Sequence, residues 1–191
     1  MNISKRINNI ACTAFATLLL LGSNYSAAAQ NTRDDKIPSI TFYYKEEANG
    51  TPKYMCDMIL QEGTYRFKRD PSDNVTYPDC ISDEAYYFSV QNAPSGTRIF
   101  LTDERAGSDA CPSKDVSPSN NFTFTFRVNK NDLTMETPLR LTDVEKYVGQ
   151  AGGGRWVPIP EAPGLQLTDG YVTGQIHGKL SCAQFFMPIP A

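Results

Sequence analysis

The side chains that could do chemistry in this chain are its cysteines, its single histidine and pairs of adjacent carboxylates. Cys12 sits in an apolar N-terminal run, and Cys56, Cys80, Cys111 and Cys182 follow it. A structural zinc site wants thiolates two to four residues apart, often with histidines. No two cysteines here are so spaced, and His177 is the only histidine, so a four-cysteine metal site is excluded. The four later thiols instead read as two disulfides, for which three pairings exist. Cys56–Cys80 with Cys111–Cys182 is preferred, because it keeps one bridge local and ties the tail to the body. Each bridge stabilises by about 2–4 kcal/mol.

The remaining chemistry is thin. His177, in Gln175-Ile176-His177-Gly178, has Ser181 and Asp169 near it in sequence, but no nucleophile-elbow pattern surrounds any serine. It reads as a loop histidine. Glu46-Glu47, Asp83-Glu84 and Asp103-Glu104 are adjacent pairs. Neighbours on a strand point to opposite faces, so none is a ready acid/base pair. Gly152-Gly153-Gly154-Arg155 lacks the Lys-Ser/Thr ending of a phosphate loop and reads as a flexible turn. Trp156, the only tryptophan, follows it, with Pro158 and Pro160 stiffening what comes next. Burial in the core is the favoured reading of Trp156. Because arginine and aromatic residues are enriched in binding hot spots, Arg155 and Trp156 are also the partner-binding candidates. Asn49, Asn74 and Asn121 open Asn-x-Ser/Thr triplets, taken as chance in a chain whose leader looks bacterial.

That leader is residues 1–29: Lys5 and Arg6, an apolar run from Ile10 to Leu21, then Ala27-Ala28-Ala29 before the expected cut. The run is shorter than the roughly 20 residues of a membrane span. The mature chain is therefore expected to be secreted or periplasmic, without membrane insertion. An even number of cysteines agrees with an oxidising compartment. With Lys5 and Arg6 gone, 16 basic residues face 21 acidic ones, a net charge of −5. That balance excludes a dedicated nucleic-acid binder, which needs a basic stripe, and docking on anionic lipid.

The elements that must position these residues are short strands between turns. Residues 30–37 read as a flexible lead-in. Ile40, Phe42 and Tyr44 alternate with Thr41, Tyr43 and Lys45; Tyr65 and Phe67 with Thr64, Arg66 and Lys68; Tyr86, Phe88 and Val90 with Tyr87 and Ser89. The cleanest period of two is Phe122, Phe124, Phe126 and Val128 against Thr123, Thr125, Arg127 and Asn129, an antiparallel strand with one aromatic face. Asn49-Gly50, Asp70 to Asn74, Pro94-Ser95-Gly96, Pro112 and Pro118 punctuate these runs. Such spacing predicts an all-β sandwich or barrel. One short helix is expected, with Thr142 and Glu145 as a capping box and Gly149 as its stop. Residues 131–191 change character. They are rich in glycine and proline, with short strands possible at Leu165 with Leu167, Tyr171-Val172 and Lys179 to Cys182.

Two stretches share an apolar strand whose aromatic is followed, seven positions on, by glycine: Tyr43 with Gly50 and Phe100 with Gly107. This resembles the βγ-crystallin superfamily over residues 38–130. The resemblance implies a Greek-key β-sandwich built twice, in which each such glycine takes a backbone conformation that a side chain would oppose, with residues 131–191 as a C-terminal extension packed on it. Many members of that family bind calcium through an acidic or amide pair followed two residues later by a hydroxyl. Asp83-Glu84 and Asn120-Asn121 supply such pairs here, but Tyr87 and Phe124 stand where the hydroxyl belongs. Both sites therefore read as degraded turn residues, and weak or absent calcium binding is expected, with no other cofactor.

The resulting expectation is an exported, disulfide-bonded, non-catalytic binding protein whose partner is another protein, with protease inhibition or a toxin- or host-interaction role within its range. The binding loops would be Ala106 to Ser119 and Gly152 to Gly164. The alternative is a small secreted hydrolase or carbohydrate-active enzyme, which needs a cleft where carboxylates or His177 converge.

Overall fold

The structure, a computed structural model, describes residues 36–103, 111 and 121–189. The leader, nearly all of the lead-in, most of the loop from Ala106 to Ser119, Gly107 and Asn120 lie outside the described residues. The elements in chain order are β1 (Ser39–Glu46), β2 (Pro52–Ile59), β3 (Gly63–Arg66), β4 (Tyr87–Gln91), β5 (Arg98–Thr102), β6 (Phe122–Val128), β7 (Leu139–Arg140), α1 (Leu141–Val148), β8 (Val157–Pro158), β9 (Leu165–Val172) and β10 (Cys182–Phe186). The described residues are all-β apart from α1. One sheet has the order β2-β1-β4-β7 and the other β3-β10-β5-β6-β9-β8. Their neighbouring strands run antiparallel.

The two sheets share one core. Phe42 and Phe88 from the first sheet, and Phe122, Phe124, Phe126 and Phe185 from the second, are fully buried. Phe88 and Phe126 have ring centroids 5.3 Å apart, and Phe42 meets Phe67 edge-on at 4.9 Å. The aromatic face expected of Phe122 to Val128 is the face that closes this core. Tyr87, Phe88, Ser89 and Val90 are buried on both sides of β4, so a sequence alternation that implied one covered face hid two.

Hairpin β1–β2 turns at Gly50, whose φ of +79° a side chain would oppose. Its N–H donates to Glu47 O at 2.9 Å. β2 gave no clear alternation because the β1–β2 register slips between Phe42 and Tyr43, which leaves Met55 and Cys56 both buried. The helix forms where expected and stops at Gly149, but Thr142 does not cap it. Arg140 is the N-cap residue and makes no side-chain cap bond. The chain enters α1 directly from a strand, with Leu141 N–H donating to Tyr86 O at 3.0 Å, so Thr142 falls inside the helix.

Residues 131–191 differ most from the expected appended extension. β10 lies between β3 and β5, and β9 between β6 and β8. β9 joins the Leu165-Leu167 and Tyr171-Val172 runs into one strand, and β10 begins at Cys182, later than the Lys179–Cys182 stretch. These segments are interior strands of the larger sheet. Their glycines and prolines mark the connections, while their pairing partners lie far away in sequence. The disulfides join Cys56 to Cys80 and Cys111 to Cys182.

Candidate functional site

The site is assembled by strand register on the outer face of the larger sheet. Phe126 points into the core, so its neighbour Arg127 points out. Arg127 stands opposite Arg98 on β5, and Arg98 opposite Phe186 on β10. On the other side Arg127 faces Gln166, and Gln166 faces Pro158 on β8. Phe186, Arg98, Arg127, Gln166 and Pro158 thus form one transverse row. Trp156 completes it. The Arg127 guanidinium lies 4.4 Å from the centre of the indole, and the Arg98 guanidinium 5.2 Å from that of Phe186.

Trp156 is therefore not a core residue. It keeps 48% of its surface exposed, and Arg155 is exposed beside it. The glycine run expected to be a flexible turn closes a hairpin instead. Gly152 and Arg155 exchange both backbone hydrogen bonds, at 3.1 and 3.0 Å. Gly153 and Gly154 between them have φ of +58° and +88°, as a type I′ turn requires at both central positions. A tryptophan directly after so tight a turn cannot reach the interior, because Val157 takes the inward position.

The segment that carries Trp156 is held from below. Ile159 and Ala162 are buried, and Ile159 and Leu165 are tied by a backbone hydrogen bond of 3.1 Å. Lys146 of α1 grips Glu161, and Tyr147 Oη donates to its other oxygen at 2.7 Å. These two bonds, Lys146 first, hold the Glu161 carboxyl down at about 2.

Two arginines opposite each other on neighbouring strands repel. Among the described residues no carboxylate is paired with either guanidinium. Asp169, on the adjoining β9, turns its Oδ1 to the Gly170 N–H at 2.8 Å. The repulsion is relieved by each guanidinium leaning onto its own ring, on opposite sides of the row. Neither Arg98 nor Arg127 stands out in the sequence. The only signal was the alternation that put Arg127 on the polar face of its strand.

The other candidates are dispersed. His177 is exposed, its ring 6.2 Å from that of Tyr86. Ser181 is buried, its hydroxyl accepting from Ser82 Oγ at 2.9 Å and donating to Lys179 O at 3.2 Å. Glu84 is exposed; Asp83 sits in a turn with φ of +64°. Asn121 is engaged by the buried Asp103, whose carboxylate accepts from the Asn121 side chain and from its N–H at 2.8 Å. Tyr87 Oη donates to Glu46, and burial together with that bond pushes the phenol up to about 12. Among the described residues no group of three or more His, Cys, Asp or Glu side chains converges as a metal ion would need. No helix among them is long and apolar enough to cross a membrane. No protein-family model, curated protein or solved structure matches the chain.

Proposed function

We propose that this chain is an exported, non-catalytic binding protein that docks another protein on the outer face of its larger sheet, around Trp156, Arg155, Arg127 and Arg98. The observation that carries this reading is the position of Trp156. The only tryptophan of the chain is half exposed on a guanidinium, directly after a closed hairpin turn, rather than in the core. Large aromatic and arginine side chains on a rigid base lose little ordering entropy on association. Two disulfides suit an oxidising compartment and support export.

The crystallin-type Greek key over residues 38–130 belongs to the same proposal. It is supported by β4 returning beside β1, in the order β2-β1-β4, while β3 crosses to the opposite sheet. The left-handed Gly50 in the first hairpin supports it too.

The test is affinity capture from culture fluid or periplasm with the oxidised mature chain, beside the Trp156→Ala variant. A partner retained by the first and lost by the second, with both chains folded by circular dichroism, is the expected outcome. Identical captured sets would refute the assignment of this face.

A further inference from the structure

Resting on that reading, we infer that the partner presents an extended acidic segment, with carboxylates at positions i and i+2, to Arg98 and Arg127. Register places the two arginines on neighbouring strands with side chains on one face. Their backbones are therefore about 5 Å apart. Each guanidinium then leans outward, one toward Phe186 and one toward Trp156, which widens the gap between the charges. In an extended peptide, residues i and i+2 share a face and lie about 6.6 Å apart. Two carboxylates at that spacing meet the two guanidiniums, each in the planar bidentate manner that arginine favours.

The flanks of the row fit the rest of such a segment. From β10 to β8 the row crosses four gaps between strands. At about 4.8 Å each this is roughly 19 Å, the span of about six extended residues. Phe186 at one end and Trp156 with Pro158 at the other offer apolar surface to the side chains beside the acidic pair.

Net charge decides between acidic protein and other polyanions. The whole sequence carries −3, and −5 without Lys5 and Arg6. A nucleic acid or an anionic membrane brings charge along its whole length and meets that field beyond the two arginines. A short acidic segment brings only the charges the pair absorbs. Carboxylates arriving at the pair neutralise the like charge that Arg98 and Arg127 bring to one face.

The experiment is fluorescence anisotropy on the oxidised mature chain with four labelled probes. They are acetyl-Ser-Glu-Leu-Glu-Leu-Ser, its glutamine counterpart, the isomer Ser-Glu-Glu-Leu-Leu-Ser, and a single-stranded oligothymidine. The first peptide is expected to bind at least about tenfold more tightly than each of the others, the change that removal of one charge-assisted contact produces. Added salt should weaken it. An Arg98→Gln/Arg127→Gln variant should lose that preference, and Arg98→Lys/Arg127→Lys, which keeps the charge without the fork, should lose part of it. Equal binding of the glutamate and glutamine peptides would overturn the inference, as would tighter binding of the oligothymidine. If Trp156→Ala still abolishes capture of a partner while the acidic peptide shows no preference, the docking face stands and the acidic segment falls. If neither is sensitive, both fall.

Discussion

Ending the chain after Ser181 should prevent folding, because it removes the last strand and, with Cys182, one of the two disulfides. β10 is paired at four positions with β3 and at five with β5. At roughly one ladder hydrogen bond per paired position and about 1 kcal/mol net for each, the lost backbone pairing is worth about 9 kcal/mol. Phe185 is fully buried, and deleting a buried phenylalanine costs about 3–5 kcal/mol. The total, about 12–14 kcal/mol before the lost disulfide is counted, lies at the upper end of the stability of an ordinary domain, about 5–15 kcal/mol. β3 is an end strand of its sheet, with β10 beside it, so it would be stranded as well. The assay compares far-ultraviolet circular dichroism and urea unfolding of the mature chain and the shortened one. A synthetic peptide covering residues 181–191, with Cys182→Ala, added in trans should restore the sheet signal by re-occupying the gap. The single substitution Phe185→Ala gives the graded version, a loss of about 3–5 kcal/mol. A shortened chain that still unfolds cooperatively, within about 3 kcal/mol of the full one, would refute this account of the tail as interior strand.

Gly50→Ala meets no atom within 4 Å, so its cost is backbone strain alone at φ +79°. A loss of about 1–2 kcal/mol in urea unfolding is expected. Replacing Cys111 and Cys182 together by alanine should cost about 4.4 kcal/mol from their separation of 71 residues, against about 3.5 kcal/mol of chain entropy for Cys56 and Cys80, 24 apart. Denaturant midpoints of the two double variants measure this. Tyr87 should shape the alkaline limb of stability. Its phenol ionises near 10.0 in the unfolded chain and about 12 in the folded one, so the folded chain holds the proton longer. The contribution is complete below pH 10 and is lost as pH rises through about 12, by up to about 2–3 kcal/mol. Tyr87→Phe should remove this part of the fall, read as the difference between the two pH–stability profiles.

Where local pattern and tertiary position agree, the sequence was sufficient. The alternation of Phe122 to Val128 marked a strand with one aromatic face, and Asn49-Gly50 marked a hairpin. Gly149, after Val144 and Val148, marked where the helix stops. Where a bulge broke the period of two, as at Met55 and Cys56 in β2, the signal vanished, because the register slip puts consecutive side chains on the buried side. The capping box failed for a similar reason: pairing of Leu139 and Arg140 with β4 set where the helix begins, and local capping chemistry did not.

By itself the sequence determined an all-β chain, with turns at defined glycines and prolines and side chains that repeat every second residue. These follow from propensity and periodicity, which act between near neighbours. The tertiary structure alone decided that β8, β9 and β10 complete the larger sheet, that Trp156 lies outside the core, and that Arg98 meets Arg127. Each of those depends on which strand pairs with which and in what register. A strand's hydrogen-bonding edges carry the same backbone groups whatever its sequence, so the choice of partner is made by burial of the whole core at once.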